Sequence, residues 1–135
     1  MAEEKNKWIE AISKLIKLTQ EGKLHWSVVV DNEIPFQKTS DEKIDTVFRA
    51  YYKGRILRIY KRSYLTKLDL SFGGFSGIKN EPKPRLYTQV VLEIIDEKGK
   101  TLWPFPKFKI LKDLLTTIEF RVAGVKDFLN DLLNE

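Results

Sequence analysis

The sequence contains no cysteine and only one histidine, His25. Without cysteine the chain has no disulfide, no thiol nucleophile and no cysteine-ligated zinc site. One histidine does not make a metal site alone, and no aspartate or second histidine neighbours His25 at ligand spacing. We therefore expect no metal or other cofactor, and we interpret His25 as a structural or solvent-facing residue of a strand.

Long hydrophobic runs are also missing. No apolar segment approaches the roughly 18 residues that a membrane-spanning helix needs. The N-terminal Met-Ala-Glu-Glu-Lys-Asn-Lys is charged and leads into an amphipathic stretch, whereas a signal sequence continues into an apolar segment. We predict a cytoplasmic protein with no membrane partner.

The composition is that of a folded chain with an uneven distribution of charge. The 135 residues are 42% hydrophobic and 12% aromatic, which suits one domain spanning residues 1–135. The formal net charge is +5. Residues 44–112 hold 15 basic and 6 acidic side chains, whereas residues 113–135 hold 2 and 5. A basic middle of this kind favours a polyanionic partner without requiring one.

Hydrophobic periodicity predicts helices at both ends of the chain. Apolar residues recur every three or four positions over about residues 3–21, and Gly22 follows where a left-handed helix cap is expected. Near the C-terminus two apolar stripes are separated by Ala123-Gly124, which predicts a break or kink. The stripes consist of Leu111, Leu114, Leu115, Ile118 and Val122, and of Val125, Phe128, Leu129, Leu132 and Leu133.

Alternating apolar residues predict about six strands between these helices. The predicted strands are Leu24–Val30, Val47–Tyr52, Arg55–Tyr60, Leu68–Phe72, Leu86–Ile95 and Thr101–Trp103, and residues 31–43 and 73–85 are predicted loops. The order of elements indicates an α+β fold. We expect an N-terminal helix, an antiparallel sheet of about five to six strands, and C-terminal helices packed on one face.

The hairpin around Lys53-Gly54 allows a prediction of register. A two-residue turn places Phe48 opposite Ile59 and Ala50 opposite Leu57, which makes that face part of the core. The opposite face then carries arginines and tyrosines, and we call it the Arg/Tyr face. Its predicted binding residues are Arg49, Tyr51, Arg58, Tyr60 and Arg62.

Two interpretations of the Arg/Tyr face remain open. In the predicted register Arg49 stands opposite Arg58, and directly opposed like charges destabilise a strand pair. Either a carboxylate elsewhere in the chain, such as Glu93, neutralises the arginines, or the face binds an anionic ligand. Single-stranded nucleic acid is the leading ligand, because cations follow its phosphates while aromatic rings stack on its bases.

No motif in the sequence indicates an enzyme. Gly73-Gly74-Phe75-Ser76-Gly77-Ile78-Lys79 lacks the spacing of a phosphate-binding loop, and Pro82 and Pro84 follow where the helix of such a loop begins. Asp127 and Asp131 share a helix face, but acidic helix surfaces are common. We predict a non-enzymatic binding protein with no catalytic residue.

The alternative to nucleic-acid binding is a protein-interaction or homodimerisation module. Trp103, Phe105 and Phe108 lie in a proline-flanked segment, and exposed aromatic residues mark interfaces. These three residues are the predicted anchors of such a module.

Four segments of the chain resemble a group of small uncharacterised bacterial proteins: residues 46–62, residues 90–106, Leu111-Lys-Asp-Leu-Leu and Val122-Ala-Gly-Val-Lys-Asp-Phe-Leu. The resemblance implies a bacterial origin and a cytoplasmic location, and it implies no activity. A strand meander closed by a C-terminal helix is also similar in topology to Whirly and PUR-type nucleic-acid-binding folds. Topology alone does not assign a function.

Overall fold

The fold is seen in a computed structural model, which describes residues 2–30, 42–66 and 85–135. Its elements are α1 (Ala2–Gln20), β1 (Trp26–Val29), β2 (Glu42–Ile44), β3 (Val47–Tyr52), β4 (Arg55–Thr66), β5 (Arg85–Ile95), β6 (Thr101–Pro104), α2 (Ile110–Val122) and α3 (Val125–Leu133). The predicted α+β fold is confirmed. The predicted strand Leu68–Phe72 and nearly all of the predicted loop 73–85 lie outside the described residues.

The strands form one antiparallel sheet with the order β1-β3-β4-β5-β6, and β2 pairs with the far part of β4. Phe48 lies opposite Ile59 and Arg49 opposite Arg58, so the predicted hairpin register is confirmed. Both turn residues have a positive φ, 48° at Lys53 and 80° at Gly54. This is the conformation of a two-residue type I′ turn, whose twist matches that of the strands.

A bulge joins β2 to β3 along the same side of β4. Ile44 pairs with Arg62 in β2, whereas Phe48 pairs with Ile59 in β3, so the pairing shifts by one residue between them. Asp45 and Thr46 therefore both face Lys61, and the Asp45 N–H donates to the Lys61 carbonyl at 3.0 Å. The prediction that residues 42–43 belong to a loop was wrong, because three residues are too few to show alternation.

The main core lies between the sheet and the first two helices. We call the sheet face that they cover the helix face. The residues of this face that are buried in the core are Trp26, Phe48, Ala50, Leu57, Ile59 and Leu92. Helices α1 and α2 contribute Ile12, Leu15, Leu111, Leu114, Leu115 and Ile118 to the same core.

Polar contacts fix α1 against the first strand. The indole N–H of Trp26 donates to the Thr19 hydroxyl at 3.0 Å, and that hydroxyl donates to the Leu15 carbonyl at 2.8 Å. Thr19 is fully buried and both its donor and its acceptor function are used. The hydrogen bond gives the buried indole N–H of Trp26 an acceptor, and it sets the position of β1 relative to α1.

Two glycines with a positive φ end the helices as predicted. Gly22 has a φ of 74°, and the next N–H, that of Lys23, bonds back to the Leu18 carbonyl in a Schellman arrangement. Gly124 has a φ of 66° and separates α2 from α3, so the predicted interruption is a complete break. Within the described ranges, no helix combines the length and the hydrophobicity needed to cross a membrane.

Candidate functional site

The structure brings the five predicted binding residues to one face of the sheet. Arg49 and Tyr51 lie on β3 and alternate with core residues, and the other three occupy equivalent positions on β4. Their exposure differs greatly. The Tyr51 side chain is 62% exposed, whereas Arg58 and Tyr60 are only 3% and 8% exposed. The centre of the Arg/Tyr face is therefore buried, and Tyr51 lies on its exposed part.

Arg58 forms a buried ion pair with Glu93 of β5. Its NH2 nitrogen lies 2.7 Å from Oε1 of Glu93, and its Nε donates to the same oxygen at 2.9 Å. Register explains the contact, since Glu93 is the residue that pairs with Arg58 across β4 and β5. Of the two interpretations of the Arg/Tyr face, neutralisation by Glu93 is confirmed for this arginine.

The turn between β5 and β6 completes the environment of this ion pair. The NH1 group of Arg58 donates to the Gly99 carbonyl at 2.9 Å, and the Thr101 hydroxyl donates to Oε2 of Glu93 at 2.7 Å. A buried ion pair needs these additional hydrogen bonds, because the free-energy cost of removing its charges from water otherwise exceeds their mutual attraction. The network connects β4, β5 and β6. It also engages the Arg58 guanidinium, which the sequence analysis had predicted to contact a ligand.

Tyr60 belongs to a small apolar cluster beside the ion pair. It packs with Val47 and Val91, and the partly buried Val29 and Ile44 complete the cluster. Burial raises the pKa of Tyr60 to about 12, and the negative charge of Glu93 adds to the effect. The bulge between β2 and β3 makes this cluster, because it turns both Ile44 and Val47 toward Tyr60.

Arg49 and Arg62 lie at the border of the buried centre. The guanidinium of Arg49 is 5.6 Å from the centre of the Tyr51 ring, and its Nε has no hydrogen-bond partner within the described parts of the chain. Arg62 forms an ion pair with Glu42, with 2.6 Å between Nε and Oε1 at an angle unsuited to a hydrogen bond. The Arg62 guanidinium also lies 5.5 Å from the ring centre of Tyr64.

Only one of the three predicted aromatic anchors is exposed. Trp103 on β6 is 55% exposed, whereas Phe105 is buried and meets the ring of Trp8 edge-on at 5.1 Å. Phe108 packs against the same core. The chain turns inward after Pro104, where the Phe105 N–H donates to the Leu92 carbonyl at 2.8 Å. The assignment of Phe105 and Phe108 as surface anchors was therefore wrong.

The largest apolar surface that sequence reasoning missed is on α3. None of the residues of this helix is buried, although its pattern is more amphipathic than that of α2. We define the α3 apolar face as the residues that share its hydrophobic side, namely Val125, Phe128, Leu129, Leu132 and Leu133. The last four are between 44% and 79% exposed. The stripe was visible in the sequence, but nothing in it showed that no element of the described ranges buries this side of the helix.

A hollow of about 220 Å³ lies near the start of α3, on the side of its polar residues Lys126 and Asp127. It lies between the start of β1 and the junction of α2 with α3, with Trp26 on one side and Phe120 and Val122 on the other. His25 also lines it and is exposed, as the sequence suggested for this residue. Arg121, Lys126 and Asp127 give the hollow charges of both signs.

The described ranges contain no group of three or more histidine, aspartate or glutamate side chains able to hold a metal ion. Comparison with known proteins adds no assignment, since no protein-family model, curated protein or solved structure matches this chain. The resemblance to a bacterial family stays a prediction. The case for a function therefore depends on the surfaces described above.

Proposed function

We propose that this chain is a non-enzymatic protein-interaction module and that the α3 apolar face is its binding surface. One observation carries the proposal: α3 exposes four large apolar side chains and buries none. Exposed apolar patches that are contiguous and rimmed by polar residues mark interaction sites. By contrast, four of the five residues of the α2 stripe, Leu111, Leu114, Leu115 and Ile118, are buried in the core.

The length of α3 supports a partner. The helix has nine residues, and isolated helices shorter than about 12–15 residues are marginal in water. Helices in proteins are stabilised mainly by packing of their apolar side. A covering partner supplies that stabilisation.

The charge of this region favours a protein over a membrane or a nucleic acid. Residues 113–135 hold 2 basic and 5 acidic side chains. Anionic lipid surfaces and phosphate backbones attract lysine and arginine, and they repel a surface rimmed by aspartate and glutamate. Asp127 and Asp131 lie on the polar side of α3, so they form part of that rim.

A photo-crosslinking amino acid at position 132 tests the proposal in cells that produce the protein. We expect a protein–protein adduct from position 132, because Leu132 lies within the α3 apolar face. The matched control is position 86, since Leu86 is also an exposed leucine but lies on β5. Adding Leu129→Glu should abolish the adduct. Equal crosslinking from both positions, or none from position 132, would contradict the proposal.

Binding of single-stranded nucleic acid is the second candidate, and a different observation favours it. Arg49 lies over Tyr51 and Arg62 over Tyr64, so two cation–ring pairs line the border of the Arg/Tyr face. Of the two rings, Tyr51 is exposed, and an exposed ring beside a cation suits stacking on unpaired bases. Arg58 and Tyr60 are buried, so they do not take part in this proposed binding.

Fluorescence titration with single-stranded oligonucleotides at two salt concentrations tests the second candidate. Arg49→Thr should weaken binding and flatten its salt dependence, because fewer counterions are released. Lys14→Thr removes the same charge from the exposed side of α1 and is the control. No binding by the unmodified protein at low salt would reject nucleic acid as a ligand.

A further inference from the structure

We infer that the hollow at the junction of α2 and α3 binds a small oxyanion, either a carboxylate or a phosphate group, and that Arg121 and Lys126 hold it. None of the residues of the α3 apolar face lines this hollow. Its ligand is therefore separate from the protein partner proposed above, and the two sites stand or fall independently.

Both basic residues of the acidic C-terminal segment line the hollow. Residues 113–135 hold 2 basic and 5 acidic side chains. The two basic ones are Arg121 at the end of α2 and Lys126 at the start of α3, and each contributes to the lining of the hollow. Both residues are exposed, so a ligand in the hollow can reach them. Two cations that line one concave site raise the local concentration of anions there.

The guanidinium of Arg121 is held against the turn that ends α1. Its NH2 nitrogen lies 2.8 Å from the point where a Cβ at position 22 would stand. Gly22 has a φ of 74°, so this position favours glycine for its backbone alone, and the guanidinium occupies the space that a side chain would need. A cation that is placed in advance loses less conformational entropy when an anion binds.

Neither cation has an anionic partner within the parts of the chain that the structure describes. Asp127 is the one carboxylate among the residues that line the hollow, yet Arg121 and Lys126 form no ion pair with it. Glu21, beside the turn that Arg121 touches, pairs instead with Lys23 at 3.0 Å. The planar donors of an unpaired guanidinium match the two oxygens of a carboxylate or phosphate group.

The remaining walls and the size of the hollow favour a small ligand. Trp26, Phe120 and Val122 form an apolar wall, which keeps water from one side and so strengthens the attraction between opposite charges. The volume of about 220 Å³ corresponds to about seven molecules of liquid water. This is room for one oxyanion group with some of its hydration water. A long polyanion would also meet the five acidic side chains of the segment, which would repel it.

Amide NMR spectra of the full chain test the site during titration with sodium phosphate and, separately, with sodium acetate. The titrations are done at neutral pH and constant ionic strength. We expect saturable shifts of the amides of residues 124–127 and of the Arg121 Nε–H. Arg121→Gln should raise the dissociation constant at least about tenfold, the effect of losing hydrogen bonds to a charged group. Lys126→Gln should raise it less, and Arg55→Gln, which removes an exposed guanidinium of β4, is the control and should leave it unchanged.

The two titrations also identify the chemical class of the ligand. Saturation by phosphate but not by acetate assigns the hollow to a phosphate group, whereas saturation by acetate assigns it to a carboxylate. Shifts that never saturate and spread over all basic parts of the chain would overturn the site, and so would an Arg121→Gln protein that binds as tightly as the unmodified one. Crosslinking from position 132 should be the same in the Arg121→Gln protein, so a failure of this site leaves the proposed function untouched.

Discussion

The two faces of the central sheet are built from the same strands but are filled in different ways. The helix face is apolar at its centre, where Ile59 and Leu92 lie beneath α1 and α2. The Arg/Tyr face is equally buried at its centre, yet it contains a charged pair, Arg58 and Glu93, beside Tyr60. The alternation of residues along a strand therefore shows which residues share a face, but it does not show whether that face is exposed to solvent.

The largest expected effect is on the Arg/Tyr face. Glu93→Gln leaves the Arg58 guanidinium buried without its carboxylate, which should lower the free energy of unfolding by about 3–5 kcal/mol. Urea denaturation measures this loss. Replacing both partners by apolar residues, as in Arg58→Met with Glu93→Leu, should recover most of it. Glu97→Gln in the exposed turn is the control. A Glu93→Gln protein as stable as the original would mean that the pair contributes nothing.

On the helix face, we expect stability to be lost through a cavity in the core and not through an unpaired buried charge. Leu92 is fully buried, so Leu92→Ala should lower the free energy of unfolding by about 2–5 kcal/mol. Leu86→Ala, on the same strand but exposed, should cost less than about 0.5 kcal/mol. Equal midpoints of chemical denaturation for the two variants would show that the helix face is not the main core.

Alkaline pH should destabilise the fold through Tyr60 of the Arg/Tyr face. Burial raises the pKa of Tyr60 from 10.0 to about 12, so the unfolded chain releases this proton first as the pH rises. The contribution of Tyr60 to stability is complete below pH 10 and is lost as the pH rises through 12. We expect a loss of about 1–2 kcal/mol over this window, since the phenol is not wholly shielded from water.

Variants of two tyrosines assign this pH dependence. Tyr60→Phe should remove it from the denaturation profile, whereas Tyr51→Phe should not, because Tyr51 is exposed. If both variants keep the alkaline slope of the unmodified protein, another group is responsible.

Arg49→Thr should have the smallest effect. Arg49 stands opposite Arg58, but Glu93 already neutralises Arg58, so little repulsion remains to be relieved. We expect stability to rise by about 0.2–0.5 kcal/mol, which thermal melting can detect. A clear loss of stability would show that Arg49 has an acidic partner and serves the fold.

The local parts of the fold were predictable because their signals lie within a few residues. Alternation on both sides of Gly54 defined the hairpin register, and Gly22 and Gly124 marked the ends of helices. In each case one short segment contains both the pattern and its cause. The α+β fold follows from the order of these segments.

The contacts that decide the candidate sites lie between distant segments and could not be predicted in the same way. Glu93 was one candidate counter-ion, but its register against Arg58 depends on how β4 and β5 align across the long segment that connects them. The α3 apolar face presents a similar difficulty. Its periodicity equals that of α2, and only the three-dimensional arrangement shows which helix meets the sheet.

The bulge at Asp45 and Thr46 marks a point where this chain can change in length. Losing one residue there would restore regular pairing along β4 and would keep Ile44 opposite Arg62. Glu42 would then stay beside Arg62, and Ile44 would stay on the side of Tyr60. A shortened descendant of this protein would therefore keep the polar and apolar positions of β2, so a one-residue deletion should be better tolerated here than within β2 or β3, where it would exchange the two faces.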